Sequence, residues 1–281
     1  MADLADPTPR EPTPRDPAPR DPTPREPTPR EAVRLDGGVV LVTGGGSGIG
    51  AATARLCALR GAAVGVLDRD AANAHTVAES IRAEGGTAID MACDVTDDGA
   101  VATAIAASAR LGRLTGLVTS AGIFHPPDLQ PIEQVTVEDF RLVLDVNLTG
   151  TFSAVRHALP LLADGGGSVV TIASTAALRG HGFGSGYTAS KGGVDALTRL
   201  VAVQYGPRGV RANCICPGGV DTPMSAGAFG PGADERARKS VPLGRWAQPD
   251  DIAQVAAWLL SDGARYVTGQ TFPVEGGALV L

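Results

Sequence analysis

The stretch Val39-Val-Leu-Val-Thr-Gly-Gly-Gly-Ser-Gly-Ile-Gly50 decides the fold, because it joins a β-branched run to a glycine-rich turn. The apolar run predicts a buried strand, and the residues after it predict a helix over 48–60. Glycines without a Cβ let the backbone approach a pyrophosphate, while the helix N-terminus offers free N–H groups and a positive dipole end. We expect a phosphate cradle here, although such a turn can also be only a tight connection.

The rest of the chain repeats this alternation of strand and helix. Further strands are expected at 63–67, 88–93, 117–120, 169–173, 211–216 and 271–274, and further helices at 71–84, 97–111, 136–163, 187–205 and 249–261. Asp97 and Asp250 are candidate N-cap residues. Apolar strands joined by helices predict a parallel sheet covered on both faces. The expected class is α/β: a single doubly wound (Rossmann) domain over residues 34–281 with a seven-stranded parallel sheet.

Residues 1–33 are expected to lie outside that domain. From Asp6 to Arg30 an acid-Pro-Thr/Ala-Pro-Arg unit occurs five times, which places ten of the 21 prolines in this segment. Dense proline removes backbone donors and favours extended polyproline II, so we expect a disordered tail. It has no apolar core typical of a secretory signal. The copies of a loose PxxP pattern leave a docking role open.

Composition excludes several classes of protein. Hydrophobic residues make up 43% and charged residues 19%, and no apolar run approaches the roughly 20 residues of a membrane helix. A net charge of −6 argues against a nucleic-acid partner. Cys214 and Cys216 have no further ligand at metal spacing, so we expect the four cysteines to be reduced core residues and no metal site. We expect a soluble, cytoplasmic protein that acts on a small molecule.

The end of the second strand bears on which cofactor binds. Asp68 follows Gly50 by 18 positions, where a carboxylate can accept hydrogen bonds from a ribose 2′-OH and repel a 2′-phosphate. This position favours NAD as the cofactor over NADP. Arg69 is a contrary signal, because a cation beside the site could accommodate the phosphate.

Tyr187 and Lys191 lie four positions apart, so they share one face of a helix. A tyrosine with a pKa of about 10 is a poor base at neutral pH, and a positive charge a few ångströms away would lower that pKa. The pair is a candidate proton carrier. Alone, so short a pattern can also arise by chance, but Ser174 lies 13 residues upstream at a strand end.

From about residue 35 to its end, the chain resembles the classical short-chain dehydrogenase/reductase family. The segment 43–50, Ser174, Tyr187 and Lys191 carry this resemblance. It implies that Tyr187 exchanges a proton with the substrate oxygen and that Ser174 hydrogen-bonds that oxygen. Lys191 would hold the nicotinamide ribose and lower the pKa of Tyr187. Asn147, at a point where the long helix is interrupted, would position a water that links Lys191 to bulk solvent.

The resemblance also implies how the cofactor is held. Asp94 and Val95 would contact the adenine, and Val220 and Thr222 would contact the nicotinamide carboxamide. The expected cofactor-binding residues are Thr43, Gly44, Ser47, Gly48, Ile49, Gly50, Asp68, Asp94, Val95, Ser120, Ala121, Gly122, Tyr187, Lys191, Pro217, Gly218, Val220 and Thr222.

One position departs from the family pattern. Ser120 stands where the family usually has the Asn of Asn-Ala-Gly, before Ala121 and Gly122. A serine reaches less far than an asparagine. We therefore expect weaker cofactor binding or lower stability, with the chemistry retained.

The expected substrate pocket is mostly apolar. Its candidate walls are Phe124 and His125, the stretch 176–186 with His181 and Phe183, and the loop 224–241. No arginine fork is evident, although Arg179 and Arg236 are candidates for binding an anionic group. The sequence therefore indicates hydride transfer between a nicotinamide and a mostly apolar secondary alcohol or ketone, with cyclic compounds included.

Two other functions stay open. One is an NADPH-dependent ketoreductase of 3-oxoacyl thioesters. The other is a dinucleotide-binding sensor or scaffold without activity, which the complete set of Ser174, Tyr187 and Lys191 disfavours. The resemblance further implies a homotetramer or homodimer, and Gly192 and Gly193 would permit close helix approach.

Overall fold

A computed structural model describes residues 33–180, 183–226 and 232–280. Residues 1–32 of the tail expected at 1–33, His181 and residues 227–231 of the expected pocket loop lie outside these ranges.

The seven expected strands are confirmed, and they form one sheet. They are β1 (Val39–Thr43), β2 (Ala63–Asp68), β3 (Thr87–Ala92), β4 (Leu114–Thr119), β5 (Gly167–Ile172), β6 (Val210–Pro217) and β7 (Thr271–Val274). Their order is β3-β2-β1-β4-β5-β6-β7, and every neighbouring pair is parallel. The strand order reverses between β1 and β4, so a crevice opens at the carboxyl ends of these strands, where doubly wound sheets bind ligands.

Helices cover both faces of the sheet. In the described residues they are α1 (Gly48–Leu59), α2 (Ala71–Ala83), α3 (Asp98–Ala107), α4 (Val137–Leu144), α5 (Gly150–Leu162), α6 (Ser185–Tyr205), α7 (Ala233–Ser240) and α8 (Pro249–Leu260). Strand residues alternate between the faces. Val40 and Val42 pack in the core that includes residues of α1, α2 and α8, whereas Val39 and Leu41 pack in the core that includes residues of α3 and α5.

The expected helix over 136–163 is interrupted. A π-helical turn at Asp145–Thr149 separates α4 from α5, and Asn147 within it is completely buried. Single π-turns inside helices often lie at functional sites. The short helix α7 was not expected from the sequence, because its charged residues show little apolar periodicity.

One of the two expected N-caps is wrong. Asp97 caps α3 by accepting a hydrogen bond from the N–H of Ala100. Helix α8 instead begins at Pro249, with Gln248 as its N-cap, so Asp250 lies in the first turn. Proline suits the first helical position, since the N–H that it lacks would have no intrahelical partner there.

Candidate active site

The glycine-rich turn after β1 is built without room for side chains. Gly44 has φ +65°, and a Cβ on it would lie 2.7 Å from the Cα of Ala121, at the end of β4. A Cβ on Gly50 would collide with the carbonyl oxygen of Gly44. Helix α1 starts directly behind the turn with no side-chain cap and no acidic residue in its first turn. This cradle fits the phosphates of a dinucleotide, because the uncapped N-terminus of α1 and its dipole favour an anion at this place.

Asp68 lies beside this cradle at the end of β2. Its Oδ2 accepts a hydrogen bond from the N–H of Gly46 at 2.9 Å, and its Oδ1 accepts one from the N–H of Asp70 at 3.0 Å. These two bonds fix the carboxylate at the edge of the turn. A Cβ on Gly46 would lie 2.9 Å from Oδ2, so close contact between turn and carboxylate requires glycine at this position.

Tyr187, Lys191 and Ser174 are brought together, as the sequence predicted. The Nζ of Lys191 lies 5.7 Å from the centroid of the Tyr187 ring and donates to the carbonyl of Ile172 at 3.0 Å. The Ser174 hydroxyl acts on the Tyr187 phenol to lower its pKa, and it accepts a hydrogen bond from the N–H of Ala176 at 3.1 Å. Lys191 and Ser174 are both buried. The cluster therefore combines a half-buried phenol with a buried hydroxyl and a buried ammonium.

The expectation that the pKa of the Tyr187 phenol is lowered is wrong for the chain without a cofactor. Burial raises the pKa of Tyr187, and only the hydrogen bond with Ser174 opposes this effect. Burial also lowers the pKa of Lys191 to about 8. Lys191 was expected to lower the pKa of Tyr187. Removing both groups from water disfavours both charged forms, and without a cofactor this effect outweighs the attraction between the ammonium and the phenolate.

The side chain of Asn147 makes contacts that sequence reasoning missed. Its Oδ1 accepts from the N–H of Ile123 at 2.7 Å, and its Nδ2 donates to the carbonyl of Ile123 at 3.1 Å and to Ser190 Oγ at 3.2 Å. The side chain thus ties the segment after β4 to α6. A Cβ on Gly122 would lie 3.1 Å from Asn147 Oδ1 and 3.5 Å from Lys191 Nζ, which places Asn147 close to Lys191.

Thr43 holds the backbone at Ser120, the position that departs from the family pattern. The N–H of Ser120 donates to the carbonyl of Thr43 at 3.1 Å, and the N–H of Ala121 donates to its hydroxyl at 3.3 Å. The end of β4 is therefore joined to the end of β1 without an asparagine side chain. The expected effect of Ser120 on cofactor binding stays a prediction.

The other expected cofactor residues also lie near the carboxyl ends of the strands. Asp94 follows β3 and accepts from the N–H of Thr96 at 2.9 Å, and this bond lowers its pKa. Val95, next to it, is buried. The segment after β6 reaches the cradle, since a Cβ on Gly48 would lie 3.2 Å from Cγ2 of Thr222. Their contacts with a cofactor stay predictions.

Two aromatic rings flank the phenol of Tyr187. Phe124 meets it edge-on with centroids 5.5 Å apart, and Phe183 stacks on it at 5.8 Å. The expected wall residue His125 contacts Asp139, with Nε2 and Oδ1 separated by 2.7 Å. Two apolar rings thus lie against the Tyr187 ring.

Asp128 is a further residue at the site that sequence reasoning missed. Its buried carboxylate accepts hydrogen bonds from the first turn of α6. These partners lie 58 and 59 positions away, so no local pattern could have indicated the contact.

A doubly wound sheet with a phosphate cradle, a carboxylate beside it and a Ser-Tyr-Lys cluster in the same crevice defines an oxidoreductase that uses a nicotinamide dinucleotide. The family model described as enoyl-(acyl carrier protein) reductase matches residues 44–278. The chain belongs to the classical short-chain dehydrogenase/reductase family. Its named dehydrogenase relatives act on CH–OH groups.

Named relatives match nearly the whole described chain. The chain is 42% identical to cis-4-hydroxycyclohexanecarboxylate dehydrogenase of Sinomonas cyclohexanicum, over 85% of this chain and 95% of that protein. It is 38% identical to cyclohexanol dehydrogenase of Acinetobacter sp. (strain SE19), over 85% and 93%. A solved dehydrogenase/reductase from Sinorhizobium meliloti 1021 superposes with a TM-score of 0.82 at 39% identity, over 88% and 97%. Within the described ranges, none of the helices has the length and apolar character needed to span a membrane.

Proposed function

We propose that this protein is an NAD-dependent dehydrogenase that interconverts a mostly apolar cyclic secondary alcohol and its ketone. The observation that carries the proposal is the pair of rings, Phe124 and Phe183, that pack against the Tyr187 ring. Flat apolar walls beside a proton carrier suit an alicyclic ring better than an extended chain. The relatives named for cyclohexanol and for a hydroxycyclohexanecarboxylate support the same substrate class.

The catalytic roles follow from the contacts of each side chain. In the oxidation direction, Tyr187 takes the proton of the substrate hydroxyl, and Ser174 donates a hydrogen bond that orients the substrate oxygen. The nicotinamide, when bound, supplies the acceptor for the hydride. The buried ammonium of Lys191 lies 5.7 Å from the Tyr187 ring centroid, where it would offset part of the cost that burial imposes on the phenolate. Asn147 fixes the segment after β4 against α6.

The preference for NAD rests on Asp68. Its two backbone hydrogen bonds hold the carboxylate rigidly at the edge of the cradle, where it would accept bonds from a ribose 2′-OH. A 2′-phosphate in the same place would meet a fixed negative charge. Arg69 is the neighbouring cation that would have to neutralise this repulsion for NADP to bind.

We also propose that the chain acts as a homodimer or homotetramer. Large apolar side chains are exposed on the outer surfaces of α5 and α6, namely Phe152, Leu161, Leu200 and Val203. Exposed apolar side chains of this kind on neighbouring helices are typical of an interface between chains. Sedimentation of the purified protein measures the number of chains.

The function is tested by turnover and by cofactor binding. A fluorescence titration with NADH and NADPH should show tighter binding of NADH, and cyclic secondary alcohols should be oxidised faster than linear ones. Tyr187→Phe should lower turnover by at least about 100-fold while NADH binding persists, because the proton carrier is removed. Tyr205→Phe, at the far end of the same helix, is the matched control and should keep full turnover.

Other results would identify a different function. Preference for NADPH with turnover of a 3-oxoacyl thioester would identify a ketoreductase instead. Tight NADH binding without turnover of any alcohol or ketone would identify a dinucleotide-binding protein without activity. Appreciable turnover in Tyr187→Phe would disprove the role given to the phenol.

A further inference from the structure

We propose that Asp128 is a positioning residue that holds the Tyr187 phenol in its working place by capping α6 from a distant part of the chain. The inference rests on the proposed function of Tyr187 as the proton carrier. Asp128 lies in the short helical turn Pro126–Leu129 between β4 and α4, and its side chain is 1% exposed.

The carboxylate of Asp128 is bonded to the start of α6 through three donors. Its Oδ1 accepts from the N–H of Gly186 at 2.7 Å and from Ser185 Oγ at 3.0 Å, and its Oδ2 accepts from the N–H of Tyr187 at 2.8 Å. One of these donors is the backbone of the catalytic residue itself. A shift of the carboxylate would therefore be transmitted directly to the Cα of Tyr187.

Helix α6 needs this cap because it has none of its own. The first N–H groups of a helix lack intrahelical partners and are normally satisfied by an N-cap side chain. The N-cap of α6 is Gly184, which has no side chain, and the first turn contains no acidic residue. The negative charge that favours a helix N-terminus is supplied here by Asp128.

The first turn of α6 is shaped to receive the carboxylate. A Cβ on Gly184 would collide with Oδ2 of Asp128, and a Cβ on Gly186 would lie 3.1 Å from its Oδ1. Two glycines therefore let the buried carboxylate approach the backbone closely. This fit is independent of the hydrogen bonds and indicates that the contact is tightly packed.

Asp128 also connects the phenol to the wall of the pocket. Its N–H donates to the carbonyl of His125, whose ring is held by Asp139 of α4. Phe124, immediately before His125, packs edge-on against the Tyr187 ring. One short segment thus fixes both the backbone and the ring of Tyr187, so the distance from the phenol to Ser174 depends on it.

Three variants separate a positioning role from a general structural one. Asp128→Ala removes the cap, and Asp128→Asn keeps an acceptor oxygen but loses the charge and the second acceptor. Asp97→Ala removes the N-cap of α3, which is a local cap away from the phenol, and is the matched control. Each is measured for folding by circular dichroism, NADH affinity, kcat, KM for a cyclic alcohol, and hydrogen exchange of the peptide that carries Gly186 and Tyr187.

We expect Asp128→Ala to lower kcat by at least about tenfold, because displacement of a catalytic group by even 1 Å is costly. NADH affinity should stay within about twofold of the wild type, since the cradle lies on other elements. The amides of Gly186 and Tyr187 should lose protection from exchange. Asp128→Asn should show a smaller loss of kcat, and Asp97→Ala should match the wild type in kcat.

Three results would overturn the inference. The first is a folded Asp128→Ala protein with wild-type kcat; if that variant does not fold, wild-type kcat in Asp128→Asn has the same meaning. The second is a parallel loss of NADH affinity and kcat, which indicates general damage. The third is unchanged exchange of the Gly186 and Tyr187 amides. If the wild type itself turned over no cyclic alcohol, the proposed function would fail, and the exchange measurement alone would decide whether Asp128 orders the first turn.

Discussion

Replacing Thr119 with valine should stabilise the protein by about 1 kcal/mol. Thr119 is the last residue of β4 and is 1% exposed, and its Oγ1 has no hydrogen-bond partner among the described residues. A buried polar group without a partner costs roughly 1–3 kcal/mol. Valine has nearly the same shape, so the substitution removes that cost without opening a cavity, and imperfect packing of the new methyl group offsets part of the gain.

The neighbouring strand provides a matched control. Thr171 is paired with Thr119 in the parallel register of β4 and β5, and its hydroxyl is 2.7 Å from that of Thr198. Thr171→Val is equally isosteric but removes a real hydrogen bond, which typically contributes about 1 kcal/mol. The two variants should therefore differ by about 2 kcal/mol, with opposite signs relative to the wild type.

Urea denaturation of the three proteins measures this difference. The midpoint should rise for Thr119→Val and fall for Thr171→Val with an unchanged slope, because the surface exposed on unfolding is the same. For a chain of this size the melting temperature should shift by roughly 2–4 °C per kcal/mol. If Thr119→Val unfolds as easily as Thr171→Val, the hydroxyl of Thr119 is hydrogen-bonded in solution and the reasoning is refuted.

Two further predictions concern the lysine and the cradle. Burial lowers the pKa of Lys191 from 10.5 to about 8. Between pH 8 and pH 10.5 the unfolded chain therefore binds more protons than the folded one, so this lysine makes the free energy of unfolding rise with pH over that range. The free energy of unfolding of the wild type minus that of Lys191→Met should therefore increase from pH 8 to pH 10, and a constant difference would contradict the burial argument. Gly50→Ala should abolish NADH binding, because the new Cβ would collide with the carbonyl of Gly44. The control is Gly99→Ala in α3, where the new Cβ would meet nothing closer than 3.4 Å, and this variant should bind NADH as the wild type does. Equal NADH affinity in the two glycine variants would count against the close packing of the turn.

The sequence by itself determined the features that depend on local patterns. The alternation of apolar strands and helices specified the doubly wound sheet, because burial on both faces leaves no polar side to a parallel strand. The glycines at 44–50 specified the cradle, since their conformations and contacts exclude a Cβ. The four-residue spacing of Tyr187 and Lys191 specified that they share one helix face. Each of these follows from residues close together in the chain.

Only the tertiary structure decided the features that depend on distant contacts and on burial. The cap of α6 comes from Asp128, and the side chain of Asn147 bridges to Ile123 and Ser190, and neither contact leaves a local pattern. The rise in the pKa of Tyr187 was likewise not accessible from spacing, because it reflects how far the surrounding elements remove the phenol from water. Spacing places a charge near a group, whereas the protein around the pair determines which charged form is favoured.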